Sequence, residues 1–136
     1  MKVFFDTNVL IDVLAKRGEF YQDSAEVLKM CEIGKTKGFI SSLSIANIMH
    51  IYRKLFTKAE LKKNIMSIAQ ILEVIPLTQK ELTKAFSLNF DDYEDGVQFL
   101  TAKSIKADYI ITRDIRDFQH STIKALTPAQ FMNLNK

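Results

Sequence analysis

Short apolar runs alternate along the chain with longer segments whose apolar residues recur at helical spacing. Val3-Phe4-Phe5 is a β-branched and aromatic run of the kind that makes a fully buried strand, and it stops abruptly at Asp6. Asp6-Thr7-Asn8 is a cluster of capping residues, after which Val9, Leu10, Ile11, Val13 and Leu14 predict a packed helix. The spacing of Ala25, Val27, Leu28 and Cys31 predicts a second helix over 20–33, ended by the Gly34 to Gly38 segment. Phe39-Ile40 reads as a second strand running into Ser41-Ser42. From Ser42 or Ser44 the pattern predicts a helix as far as Phe56, apolar on nearly every side, which implies burial from several directions or packing against a second copy.

A further helix over 57–73 puts Leu61, Ile65, Ile68 and Leu72 on one face and Lys58, Lys62 and Lys63 on the other. Val74-Ile75 is a third strand stopped by Pro76, and Thr78 caps a helix expected to reach about Phe90. A helix beginning near Asp92 continues its buried side through Phe99, Ala102 and Ile105, and Tyr109-Ile110-Ile111 makes a fourth strand. Ile123 to Leu126 is a fifth candidate strand, and Thr127-Pro128 opens a last helix. Strands alternating with helices give an α/β chain with a mostly parallel sheet of four to five strands, covered on both faces.

Composition constrains the picture without redrawing it. A chain of 136 residues fits one domain, 1–136, because a domain of that size buries roughly two thirds of its unfolded surface. With 47% hydrophobic and 26% charged residues it belongs among ordinary globular proteins. Charge interrupts every apolar stretch before the roughly 20 residues a membrane span needs, and the start shows no signal-peptide pattern; a cytoplasmic chain with no membrane partner is expected. The one cysteine, Cys31, cannot form an internal disulfide and reads as a small core hydrophobe. His50 and His120 have no Cys or His at ligand spacing and read as surface or core histidines.

The acids carry the chemistry. Asp6 and Asp114 each stand just past the end of a strand, where open parallel sheets put their ligands. Asp92 and Asp95 lie three residues apart at a helix entrance, with Asp95 heading the apolar face, and Asp117 follows Asp114 by three. Carboxylates meeting in one pocket repel unless protons or cations intervene. A hard divalent ion, Mg²⁺ or Mn²⁺, resolves the conflict, since the donors are oxygen alone. Such ions activate water and stabilise a phosphate under attack, so metal-assisted phosphodiester hydrolysis fits. The net charge of +3 permits a polyanionic partner. Arg53, Lys54, Lys58 and Lys62 form the densest basic group, either a solvated face or a phosphate contact, and Arg113 and Arg116 flank the acids as further candidates.

Asp6-Thr7-Asn8-Val9-Leu10-Ile11-Asp12, Ser41-Ser42-Leu43 before a helix, Glu94-Asp95 opening another, and Ile111-Thr112-Arg113-Asp114 with Asp117-Phe118 together resemble the PIN-domain family over nearly the whole chain. The resemblance implies a three-layer α/β/α sandwich, a Mg²⁺- or Mn²⁺-dependent endoribonuclease acting on RNA, and often a VapC-type toxin held by an antitoxin protein. It places the metal-binding and catalytic acids on Asp6, Asp95, Asp114 and Asp117, with Thr7, Asn8, Asp92 and Thr112 in support. One position departs: Asn47 stands where family members usually carry Glu, and an amide brings no charge to a metal. Its apolar neighbours imply that Asn47 faces a pocket. The departure supports an alternative, an RNA-binding module with weak or no catalysis. A phosphoryl-acceptor domain is disfavoured, because Asn8 stands where a phosphatase loop needs Asp. The apolar third helix suggests a homodimer.

Overall fold

The computed structural model of the protein describes residues 1–135. Five strands alternate with seven helices: β1 (Lys2–Phe5), α1 (Thr7–Leu14), α2 (Gly18–Glu32), β2 (Lys37–Ser41), α3 (Ser42–Ile51), α4 (Lys58–Ile71), β3 (Glu73–Ile75), α5 (Gln79–Lys84), α6 (Tyr93–Ser104), β4 (Tyr109–Ile111), β5 (Lys124–Leu126) and α7 (Pro128–Leu134). The sheet is parallel throughout, in the order β3-β2-β1-β4-β5. Successive strands step outward from β1 in one direction and then, from β4, in the other. The reversal opens a crevice between β1 and β4 at the carboxyl edge of the sheet.

Alternation along β1 sends its side chains into two cores. Val3 and Phe5 pack with Val9, Leu10, Val27 and Phe131 from α1, α2 and α7. Phe4 packs on the opposite face with Val97, Leu100 and Phe118. Helices therefore cover both faces, and the chain is an α/β sandwich of three layers. Gly38 in β2 is fixed by this packing: a Cβ there would overlap the Leu72 side chain and stand 2.7 Å from the Cys31 sulfur. Gly38→Ala is expected to cost about 1–2 kcal/mol, read as a lower midpoint in urea unfolding with an unchanged slope.

Two helices are shorter than the sequence pattern predicts. α3 ends at Ile51 rather than Phe56, because Tyr52 turns inward to 3% exposure and sets its ring edge-on to Phe56, 5.4 Å away. α4 then starts afresh on a capping box in which the Thr57 hydroxyl accepts from the Glu60 amide and the Glu60 carboxylate accepts from the Thr57 amide. α5 ends at Lys84 and passes through a single 3₁₀ turn, instead of running to Phe90. Phe90 is drawn under α6, where it stacks on Phe99 at 5.4 Å.

Candidate active site

Register levels the ends of three strands, since Phe5 pairs with both Ile40 and Ile111. The next residues, Asp6, Ser41 and Thr112, therefore emerge side by side at the carboxyl edge. The Asp6 amide extends the ladder by donating to the Ile111 carbonyl at 2.9 Å, while its side chain caps α1. Oδ1 accepts from the Thr7 amide at 2.7 Å and Oδ2 from the Thr112 hydroxyl at 2.9 Å. Asp6 is only 8% exposed. Burial pushes its pKa up to about 6, against the pull of those two hydrogen bonds, and the charges of Asp117 and Glu94 push the same way as burial.

The Thr112 hydroxyl is a junction, accepting from the Asp114 amide at 3.2 Å and the Asn8 side-chain amide at 3.4 Å. Asn8 in turn accepts from the Arg113 amide at 3.1 Å, which ties the loop after β4 to the first turn of α1. A second, buried set joins three helices: the Thr7 and Ser44 hydroxyls lie 2.6 Å apart, and the Gln98 side chain donates to Ser44 at 3.0 Å. Neither Ser44 nor Gln98 was expected. Gln98 follows Asp95 by three residues, a spacing that puts it on the same face and marks it as a candidate.

Asp95 enters from the first turn of α6, where its amide donates to the capping Asp92 carboxylate at 3.1 Å. Burial raises its pKa to about 7, and the charges of Asp6, Asp92, Asp117 and Glu94 add to the rise. Asp117 is also raised, by burial and then by Asp114 and Asp92, with Arg116 opposing. Asp114 caps a 3₁₀ turn by accepting from the Arg116 amide at 3.2 Å. Asp92, Asp95, Asp114 and Asp117 line a cleft of about 370 Å³ that Arg116 and His120 share. Glu94 accepts from the Asn47 side-chain amide at 2.7 Å, and its charge acts on both Asp6 and Asp95 although it does not line this cleft.

The other candidates sit elsewhere or are already engaged. Arg113 forms a 2.8 Å ion pair with Asp12, which is 1% exposed, and lies over the Phe20 ring at 4.9 Å. Arg53, Lys54, Lys58 and Lys62 are exposed, at the end of α3 and along α4, and Arg53 Nη1 donates to the His50 carbonyl at 2.6 Å.

A hard divalent cation fits the chemistry of this donor set, in which carboxylates raise one another's pKa and every donor is oxygen. Among the described residues no three acid, His or Cys side chains close on a single point at ligand distance. Asp92, Glu94, Asp114 and Asp117 are exposed at the rim, and of these Asp92, Glu94 and Asp114 each accept a hydrogen bond there. Without a cation, the raised pKa of Asp6 and Asp95 means that the folded chain binds more protons than the unfolded one between about pH 4 and 7, so stability falls as pH rises across that window. In EDTA, thermal denaturation is expected at lower temperature at pH 8 than at pH 5 from this contribution. Asp95→Asn should flatten the difference, and Mn²⁺ should raise the midpoint more at pH 8.

A PIN domain model matches residues 2–116 of the chain. Ribonuclease VapC1 of Aquifex aeolicus is 30% identical over 135 residues, spanning 96% of this chain and 92% of that protein. Among solved structures, VapBC2 from Rickettsia felis bound to a DNA fragment from its promoter superposes with a TM-score of 0.71 at 17% identity, covering 93% of this chain and 98% of that one. A toxin-antitoxin complex from Klebsiella pneumoniae gives a TM-score of 0.71 at 21% identity, covering 93% and 97%. At such identities these two structures show a shared fold.

Proposed function

The chain belongs to the PIN-domain family, and from that premise we propose that it is a divalent-metal-dependent endoribonuclease and the toxin of a toxin-antitoxin pair. The observation that carries this reading is the placement of Asp6 at the end of β1, at the carboxyl edge where Asp95 from α6 and Asp114 and Asp117 from the loop after β4 line a cleft. Asp6, Asp95, Asp114 and Asp117 would hold Mg²⁺ or Mn²⁺. A cation held there would supply a water of lowered pKa and positive charge opposite the phosphate under attack. Thr112 and the Thr7 amide hold Asp6 in one orientation, and Asn8 keeps the Asp114 loop beside it. Arg116 at the cleft and the exposed Arg53, Lys54, Lys58 and Lys62 offer phosphate contacts along an RNA backbone.

The solved relatives described as toxin-antitoxin complexes support an antitoxin partner. Ile51 and Leu55, 47% and 76% exposed where α3 ends, support a homodimer. Cytoplasmic location belongs to the same proposal; none of the described helices is long and apolar enough to cross a membrane.

Purified chain incubated with single-stranded and structured RNA in Mn²⁺ is expected to cleave internally and to stop on adding EDTA. No cleavage by the wild type rejects the enzyme. The uncharged Asn47 favours a second reading, an RNA-binding module without catalysis. It predicts salt-sensitive RNA binding that survives both EDTA and Asp95→Asn.

A further inference from the structure

Helices α3 and α6 are tied by two rungs spaced one turn apart on each helix: Ser44 to Gln98, buried, and Asn47 to Glu94, at the rim. The first rung reaches Thr7, the residue next to Asp6. The second holds a carboxylate that would otherwise swing freely, since Glu94 is exposed on the first turn of α6. An exposed Glu in that place ordinarily only complements the helix dipole and needs no donor of its own. Asn47 is half-buried on α3, at the position where an acid is expected, and its amide is spent on fixing this one side chain at 2.7 Å. Glu94 is moreover near enough to Asp6 and Asp95 for its charge to push the pKa of both upward.

We infer that Glu94, held by Asn47, supplies the carboxylate on the α3 side of the site and binds the divalent cation or one of its waters. This rests on the metal-dependent reading above. The negative charge missing at Asn47 has not been lost from the site; it sits across one hydrogen bond, on the neighbouring helix. Asn47 is the positioning residue. Exchanging the two groups, Asn47→Glu with Glu94→Gln, keeps an amide-to-carboxylate hydrogen bond between α3 and α6 with its direction reversed and moves the charge by the width of that bond.

Isothermal titration of the metal-free full-length chain with Mn²⁺ at pH 8 tests this. Glu94→Gln is expected to weaken Mn²⁺ binding by about tenfold or more, and Asn47→Ala by less. The exchanged double variant is expected to return within about threefold of the wild type. A rung with only a structural role would lower the melting temperature of Glu94→Gln and leave its Mn²⁺ affinity unchanged, which overturns the inference while leaving the nuclease reading intact. Failure of the wild type to bind Mn²⁺ overturns both.

Discussion

Asp6→Asn is expected to slow RNA cleavage by about 10³-fold or more while leaving the chain as stable at pH 8 as the wild type, or more stable. The activity loss follows from removing the most buried carboxylate of the site, whose charge has no substitute at that spot; 10³-fold corresponds to about 4 kcal/mol of barrier, within the several kcal/mol that a correctly held cation supplies. The stability result has a separate cause. Asn keeps the shape of the side chain and its oxygen still accepts from the Thr7 amide, while the Thr112 hydroxyl loses its acceptor at Oδ2. The substitution also removes a carboxylate that burial disfavours, a penalty on the order of 2–3 kcal/mol for a group raised to about 6. Single-turnover cleavage assays and thermal denaturation on the same preparation separate the two effects. Cleavage within tenfold of the wild type would remove Asp6 from the reaction.

Arg113→Ala is expected to destabilise the fold by about 2–4 kcal/mol, lowering the melting temperature by roughly 8–15 °C. Asp12 is 1% exposed, and its Oδ2 has no hydrogen-bond partner even in the intact protein. Burial raises the pKa of Asp12, and Arg113 is the largest influence holding it down. Without the guanidinium the carboxylate is left uncompensated, and the packing of Arg113 over Phe20 goes as well. The cost lies below that of a fully enclosed pair because Arg113 is itself 31% exposed. Adding Asp12→Asn to Arg113→Ala should recover much of the loss. If the double variant is no more stable than the single, the buried charge is not what makes Arg113 necessary.

Arg113 also shows where sequence reasoning stops. Its place between Thr112 and Asp114 suggested a phosphate contact, and nothing local reveals that it reaches Asp12, 101 positions earlier. The strands were legible because runs such as Val3-Phe4-Phe5 and Tyr109-Ile110-Ile111 are short, apolar and ended at once by a polar residue, Asp6 or Thr112. The end of α3 was not, because Tyr52 through Phe56 keeps an apolar spacing compatible with a helix and only tertiary packing turns Tyr52 inward. In the site, Asp6, Asp95, Asp114 and Asp117 could be marked from strand ends and a helix entrance. Ser44 could not, and Gln98 only through its spacing from Asp95, since a buried hydroxyl and amide are recognised by whom they bond, which is a property of three helices together. Glu94 lay between these cases, visible as an acid but indistinguishable from a dipole-stabilising residue until Asn47 was seen to hold it.

The central position of β1, between β2 and β4, has a consequence for how the chain is made. The first strand leaves the ribosome early, yet the hydroxyl that orients Asp6 lies 106 residues later. Contacts of such long range form slowly and cannot form before both ends exist. A nascent chain arrested before β4 emerges thus carries Asp6 with neither Thr112 nor the Asp114–Asp117 loop, so the proposed site is incomplete. For the nuclease proposed above, synthesis itself would delay the onset of activity.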